Sequence, residues 1–253
     1  MTLLALSTDF GADSTYVAQL KGVLISRAPG IPIVDVSHSL PVHNIRAAEV
    51  FLRAVAFAFP IGTVHAVVVD PGVGTERQPI AVQVKGMSFV GPDNGLFGRL
   101  IAIKGSKVVC LDRTHLFRTP VAPTFHGRDI FAPVAAELAA GTPIESVGSE
   151  IADTVPSTLP VASVVGALHY GEILASDRFG NLTTNIQCRA GAGYRVEVEG
   201  HDKPVPWVQT YGEVERGALV ALAGSDGFLE LARREQPAGL RVGARVTAET
   251  VLP

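Results

Sequence analysis

The chain is poor in the residues that mark several whole classes of protein. Only two of its 253 residues are cysteines, Cys110 and Cys188, and they lie far apart. Without a Cys-x-x-Cys pair, a zinc knuckle or redox dithiol is excluded, and two reduced thiols in a cytoplasmic protein are predicted. There is no block of Lys and Arg, and the formal net charge is −3. A nucleic-acid partner held through phosphate neutralisation is therefore not expected. No apolar run approaches the about 18 residues of a membrane-spanning helix, which predicts no membrane partner. The apolar start, Met1 to Leu6, lacks a basic flank and soon meets Asp9, so a signal peptide is not predicted. Gly-Lys-Ser/Thr and His-Glu-x-x-His are both missing. The third glycine of a dinucleotide fingerprint is missing after Gly72-Val73-Gly74. These absences argue against a phosphate-cradling NTPase, a metallohydrolase and a nicotinamide enzyme, and predict neither a metal nor an organic cofactor.

What is present is material for a large core, with 47% hydrophobic and 18% charged residues. The length suits one large and one small domain. Residues 2–8 read as a buried strand ending at Thr8-Asp9-Phe10-Gly11. Val17, Leu20, Val23 and Leu24 then recur at helical spacing over 16–28. Ile31 to Val36 reads as a strand, Ile45 to Phe59 as a helix stopped by Pro60-Ile61-Gly62, and Thr63 to Val69 as a third strand. This β-α-β-α-β order predicts a right-handed parallel sheet with flanking helices. Short strands are predicted at 80–84, 87–90 and 107–111, and a helix at 129–140. From Thr154 to Pro160 the composition is that of a linker. Beyond it helical periodicity disappears, and short strands are predicted at 194–198, 219–223, 228–232 and 244–247. The predicted class is α/β: an N-terminal domain over 1–150 with a mostly parallel sheet, a linker over 151–163, and a smaller β-barrel-like C-terminal domain over 164–253.

The most informative stretch is Val67-Val68-Val69-Asp70-Pro71-Gly72-Val73-Gly74-Thr75-Glu76-Arg77. A buried strand delivers a carboxylate onto a glycine-rich loop, at the strand end where parallel sheets place ligands. Asp-Pro-Gly is also good turn chemistry for a purely capping Asp. A second cluster, Thr124-Phe125-His126-Gly127-Arg128-Asp129, brings a histidine beside a glycine and a charged pair.

These motifs occur in one order with Val34-Asp35-Val36-Ser37-His38, Gly91-Pro92-Asp93-Asn94-Gly95 and Phe179-Gly180-Asn181-Leu182. The set resembles the S-adenosyl-L-methionine hydroxide adenosyltransferases, hydrolytic relatives of the fluorinases and chlorinases, over nearly the whole chain. The resemblance implies that S-adenosyl-L-methionine is a substrate, not a cofactor, cleaved by water at ribose C5′ to adenosine and L-methionine. It places Asp70, Arg77 and His126 around the attacking water, and Asp9 on the two ribose hydroxyls. Asp177 would meet the methionine ammonium, Asn181 the adenine edge, Tyr211 the adenine face, and Ser225 the amino-acid end. It also implies a homotrimer, with the nucleoside between the N-domain of one subunit and the C-domain of its neighbour.

The chemistry is compatible with these residue types. A sulfonium leaves without an acid, so the demand is to align a dry nucleophile about 3 Å from carbon. Arg77 stabilises growing negative charge, and its proximity is expected to lower the Asp70 pKa, favouring orientation over full proton abstraction. Asp177-x-Phe-Gly-Asn181 also reads as an ordinary turn, and Tyr211 as a packed aromatic. Three positions depart from the family pattern: His43 stands where a bulky aromatic is usual, Asp13 lies one residue off an acidic position, and Asp226 follows Ser225 where fluorinases carry a basic residue. His38, His65, His115, His169 and His201 show no ligand spacing and read as structural or solvated. Two other functions compete, a halide-dependent adenosyl transferase and a non-catalytic adenosine or S-adenosyl-L-methionine binder.

Overall fold

The computed structural model describes residues 2–189 and 191–251. It divides into two compact units, Met1–Thr158 and Leu159–Pro253. In the first, β1 (Leu4–Thr8), β2 (Ile33–Ser37) and β3 (Val64–Val68) alternate with helices α1 (Thr15–Arg27) and α2 (Ile45–Val55). Ser14 caps α1 by accepting the Tyr16 amide, and Asn44 caps α2 by accepting that of Ala47. The helix expected over 45–59 stops being α-helical at Val55 and ends in a 3₁₀ turn, Ala56–Ala58.

A hairpin follows, β4 (Pro79–Val84) and β5 (Met87–Pro92). Its turn residues Lys85 and Gly86 both have positive φ, 49° and 75°, the backbone hand that matches strand twist. The one-turn helix α3 (Gly98–Ile101), β6 (Lys107–Cys110), α4 (Ala132–Ala139), α5 (Ile144–Val147) and β7 (Ser149–Glu150) complete the unit. The sheet order is β2-β1-β3-β5-β4-β6-β7. Pairing is parallel from β2 to β5 and antiparallel beyond, so the mostly parallel part lies where β1 and β3 end. Both faces are covered. Leu20, Leu24, Phe131 and Val134 pack on one side, while Leu52, Phe89, Leu96 and Phe97 pack on the other. That is why β1 and β3 read as continuous apolar runs.

The second unit is antiparallel. β8 (Ser163–Val165), β9 (Leu168–Ser176), β10 (Leu182–Gln187), β11 (Gly193–Val198), β12 (Leu219–Ala223), β13 (Phe228–Arg233) and β14 (Arg245–Val251) form one sheet. Its order is β11-β14-β9-β10-β13-β12, with β8 on β9. The edge strands β11 and β12 are bridged by one segment, through Val196–Val205 and Trp207–Ala221. The sheet is thereby a nearly closed barrel around Ile173, Ile186, Leu229 and Leu231. No helix of the described residues is long and apolar enough to cross a membrane.

Candidate active site

Two loops from the carboxyl side of the parallel strands carry the central polar groups. Asp70 follows the end of β3, and Arg77 lies at the far side of the turn it begins. Their side chains are 5% and 7% exposed, and the guanidinium grips the carboxylate with both prongs, Nε to Oδ1 at 3.1 Å and Nη2 to Oδ2 at 2.5 Å. Nη2 also donates to Nδ1 of His126 at 3.2 Å. A guanidinium has no lone pair to offer. Nδ1 must therefore be the acceptor, and the neutral ring carries its proton on Nε2. The three groups singled out in the sequence thus form one hydrogen-bonded unit. Arg77 Nη1 is buried without a protein partner, and the guanidinium carbon lies 5.4 Å from the Phe131 ring centroid.

Burial pushes the Asp70 carboxyl above the usual carboxylate range, against the pull of Arg77 and, more weakly, His126. The sequence-based expectation was a lowered value, because it counted the guanidinium and not the desolvation at the strand end. Burial, then the adjacent Arg77 charge, lowers the His126 pKa, leaving the ring neutral at pH 7.

Asp70 and His126 line a cavity of about 240 Å³ together with Asp9, His43, Phe10 and Phe125. Tyr16, Phe10 and Phe125 form an aromatic cluster on its wall, Phe125 edge-on to the other two rings, with centroids 5.0 to 5.9 Å apart. Asp9 accepts the His43 amide through Oδ2 at 2.8 Å, and its other oxygen has no protein partner among the described residues. His43 reaches this position with a left-handed backbone, φ 59°. Thr8 Oγ1 contacts His38 Nδ1 at 2.9 Å, and His38 Nε2 contacts Asp35 at 2.9 Å, tying the ends of β1 and β2 together next to Asp9 in the chain.

Two supports lie within motifs quoted from the sequence, which gave them no role there. Asn94 Nδ2 donates to the Val69 carbonyl at 3.0 Å, fixing the peptide immediately before Asp70. Gly74 has φ 78°, and a Cβ there would stand 2.7 Å from the Pro123 carbonyl oxygen. The Asp70 loop and the His126 loop touch backbone to backbone at this glycine. His126 itself precedes a π-helical turn, Gly127–Phe131, that leads into α4, an irregularity frequent at functional sites.

In the second unit, Asp177 is occupied by its own turn. Oδ1 accepts the amides of Phe179 and Asn181 at 2.8 and 2.9 Å, and Oδ2 accepts Asn181 Nδ2 at 3.1 Å. Tyr211 donates its hydroxyl to Glu230 at 2.5 Å. Burial and that carboxylate push the phenol up to about 12. Glu230 was not anticipated. Burial raises its pKa, and the nearby Asp177 and Asp226 add to the effect. Ser225 is exposed on the turn next to Asp226. The chain thus gathers Asp177, Tyr211 and Asp226 electrostatically around Glu230.

The model of the SAM hydroxide adenosyltransferase N-terminal domain matches residues 4–148, and that of the C-terminal domain matches residues 171–250. An (R)-S-adenosyl-L-methionine hydrolase of Thermus thermophilus is 42% identical over 233 residues, covering 89% of each chain. A fluorinase of an Actinoplanes species is 30% identical, covering 97% of this chain and 96% of its own. A crystal structure of an uncharacterized conserved protein from Thermotoga maritima superposes with a TM-score of 0.89 at 32% identity, covering 97% of this chain and 99% of that one.

Proposed function

This chain belongs to the SAM hydroxide adenosyltransferase family, and from that membership we propose that it hydrolyses S-adenosyl-L-methionine to adenosine and L-methionine. The observation that carries the chemistry is the contact of Asp70, Arg77 and His126 beside a cavity lined by Asp9 and aromatic rings. A water at this point receives a hydrogen bond from His126 Nε2–H and gives one to Asp70. The His126 ring offers no free acceptor, because Nδ1 is engaged by Arg77. Asp70 is therefore the group that takes the proton, and its raised pKa suits that role. One water lone pair forms the O–C5′ bond while the C5′–S electrons pass to sulfur. Methionine leaves as a neutral thioether, and the proton on Asp70 returns to solvent.

Asp9 keeps Oδ1 open and a second acceptor site on Oδ2, which suits it to the two hydroxyls of the ribose diol. The acidic cluster of Asp177, Asp226 and Glu230 suits the ammonium of the amino-acid end, with Ser225 beside it, and Asn181 and Tyr211 suit the base. A homotrimer is part of this reading: the second-unit residues would come from a neighbouring subunit. A cytoplasmic location belongs to the same reading, and the free thiols of Cys110 and Cys188 support it. A halide nucleophile is disfavoured here, because a carboxylate lining the cavity repels an anion that has no proton to give.

Reaction in ¹⁸O-labelled water tests the proposal. Label is expected at the 5′ oxygen of adenosine. A 5′-halo-5′-deoxyadenosine in the presence of chloride or fluoride, or binding without turnover, would overturn it. A fully active monomer in sedimentation would reject the trimeric site.

A further inference from the structure

We propose that a groove beside α1, distinct from the Asp70 cavity, binds the phosphate group of a small anionic molecule. The groove measures about 380 Å³, within the range of small-molecule sites. Arg27, Arg118 and Arg128 line it, together with Gln19 and Ser26.

The charge in the groove is unbalanced by construction. Among the described residues, the carboxylate that meets this group is Asp129, which is fully buried and saturated and bonds Arg118 and Arg128 but not Arg27. Its Oδ1 accepts Arg118 Nη1 at 2.8 Å and Arg128 Nε at 2.6 Å. Its Oδ2 accepts Arg128 Nη2 at 2.7 Å and the Ala122 amide at 2.9 Å. Three positive groups against one negative leave a surplus of two. Lys21, on the same helix, is matched separately by Asp35.

The geometry is held rather than loose. Arg128 is fixed on a third side, where Nη1 donates to Gln19 at 2.9 Å, and it lies 5.0 Å from the Phe125 ring centroid. Arg118 is anchored through Nη1 alone, which leaves Nε and Nη2 without partners among the described residues. Arg27, in the last turn of α1, has no side-chain partner there at all. An anchored fork and an unengaged one along a shared groove are what paired recognition of a dianionic oxyanion requires. A monocarboxylate would leave one positive charge unanswered. The groove exceeds the needs of a lone ion, so the expected ligand is a phosphomonoester or pyrophosphate rather than chloride or a simple carboxylate.

Calorimetric titration of the full chain tests this. The ligands are inorganic phosphate, pyrophosphate and ribose 5-phosphate, with ribose as control and sodium chloride holding ionic strength constant. Saturable binding is expected for at least one phosphate compound and for none of the ribose control. The tightest of the three tells a free phosphate species from an ester. Arg27→Ala, which removes no internal contact, should weaken binding about tenfold, the scale of one charge-assisted contact at the surface. Arg27→Ala with Arg118→Ala should abolish it. Absence of saturable binding by all three compounds, equal binding of ribose, or unchanged affinity in Arg27→Ala would overturn the proposal.

Discussion

Replacing Arg77 by lysine separates the geometry of the Asp70–Arg77–His126 unit from its charge. Lysine keeps the positive charge beside Asp70, so no carboxylate is stranded. What it loses is the fork. The native guanidinium makes three contacts at once, two to Asp70 and one to His126 Nδ1. A single ammonium on a flexible stem can hold Asp70 or reach His126, but not both in the native arrangement. Hydrogen bonds to charged groups contribute about 1.5–3 kcal/mol each. With one contact kept and local relaxation, a stability loss of about 2–3 kcal/mol is expected in denaturant unfolding. Arg77→Ala would cost more, about 3–5 kcal/mol, because it strands a buried carboxylate. The larger effect of Arg77→Lys should be on turnover. Without its donor at Nδ1, the His126 ring is free to place its proton on either nitrogen, and the water is no longer aimed. A fall in kcat of about 10²–10³ is expected, the size of losing one preorganised electrostatic contact. The assay is adenosine release at saturating S-adenosyl-L-methionine, paired with ¹⁵N shifts of the His126 ring. Wild-type kcat in a variant whose His126 proton has moved to Nδ1 would refute the assignment of proton acceptance to Asp70 and proton donation to His126.

Other positions give independent checks. Activity should fall on the acid side as Asp70 is protonated, with a midpoint above the ordinary carboxylate range because burial dominates there; a rate profile in kcat/KM with a midpoint below that range would contradict this. His65 is fully buried against Phe89, and burial pushes its pKa down to about 4. The unfolded chain binds this proton near pH 6.5 and the folded chain does not, so stability is intact above that value and declines as pH falls towards 4, by ~3 kcal/mol in all. His65→Phe should flatten that decline in urea unfolding at stepped pH. Gly74→Ala meets a backbone carbonyl at 2.7 Å from a positive-φ position, so it should part the two site loops and reduce kcat by at least about tenfold, while the melting temperature moves by only a few degrees. Asn94→Ala should cost about 1–2 kcal/mol and lower kcat without changing KM, since it frees the Val69 peptide rather than a substrate contact.

The elements that announced themselves in the sequence were those whose burial is uniform along their length. β1 and β3 are buried at every position, and the apolar face of α1 falls on Val17, Leu20 and Leu24. The strands Leu168–Ser176 and Leu182–Gln187 were not predicted, and their burial explains why. Along β9 the pattern is irregular, because the strand pairs with β8 and β14 in its first half and with β10 in its second. One strand serving two sets of neighbours cannot keep a single period of two. The helix expected over 129–140 begins instead as a π turn at Gly127, since hydrogen-bond register is not written in apolar spacing.

The same division runs through the site. Asp70, Arg77 and His126 were visible because each stands in a compact local motif whose residue types already suggest chemistry. Asn94 and Gly74 stand in such motifs too, but their roles, like that of Glu230, rest on partners distant in sequence: Asn94 on a carbonyl 25 positions away, Gly74 on the Pro123 backbone, and Glu230 on a hydroxyl 19 positions away. The net direction of the Asp70 pKa belongs with these. A neighbouring arginine can be read from spacing, but the depth of burial that outweighs it is set by the whole sheet edge. A local motif therefore identifies which groups take part, while long-range packing decides which of them holds the proton. On that basis a substitution that leaves the motif intact and only opens the strand end to water should weaken Asp70 as a base, and that outcome would be read as a lower acid midpoint at an unchanged KM.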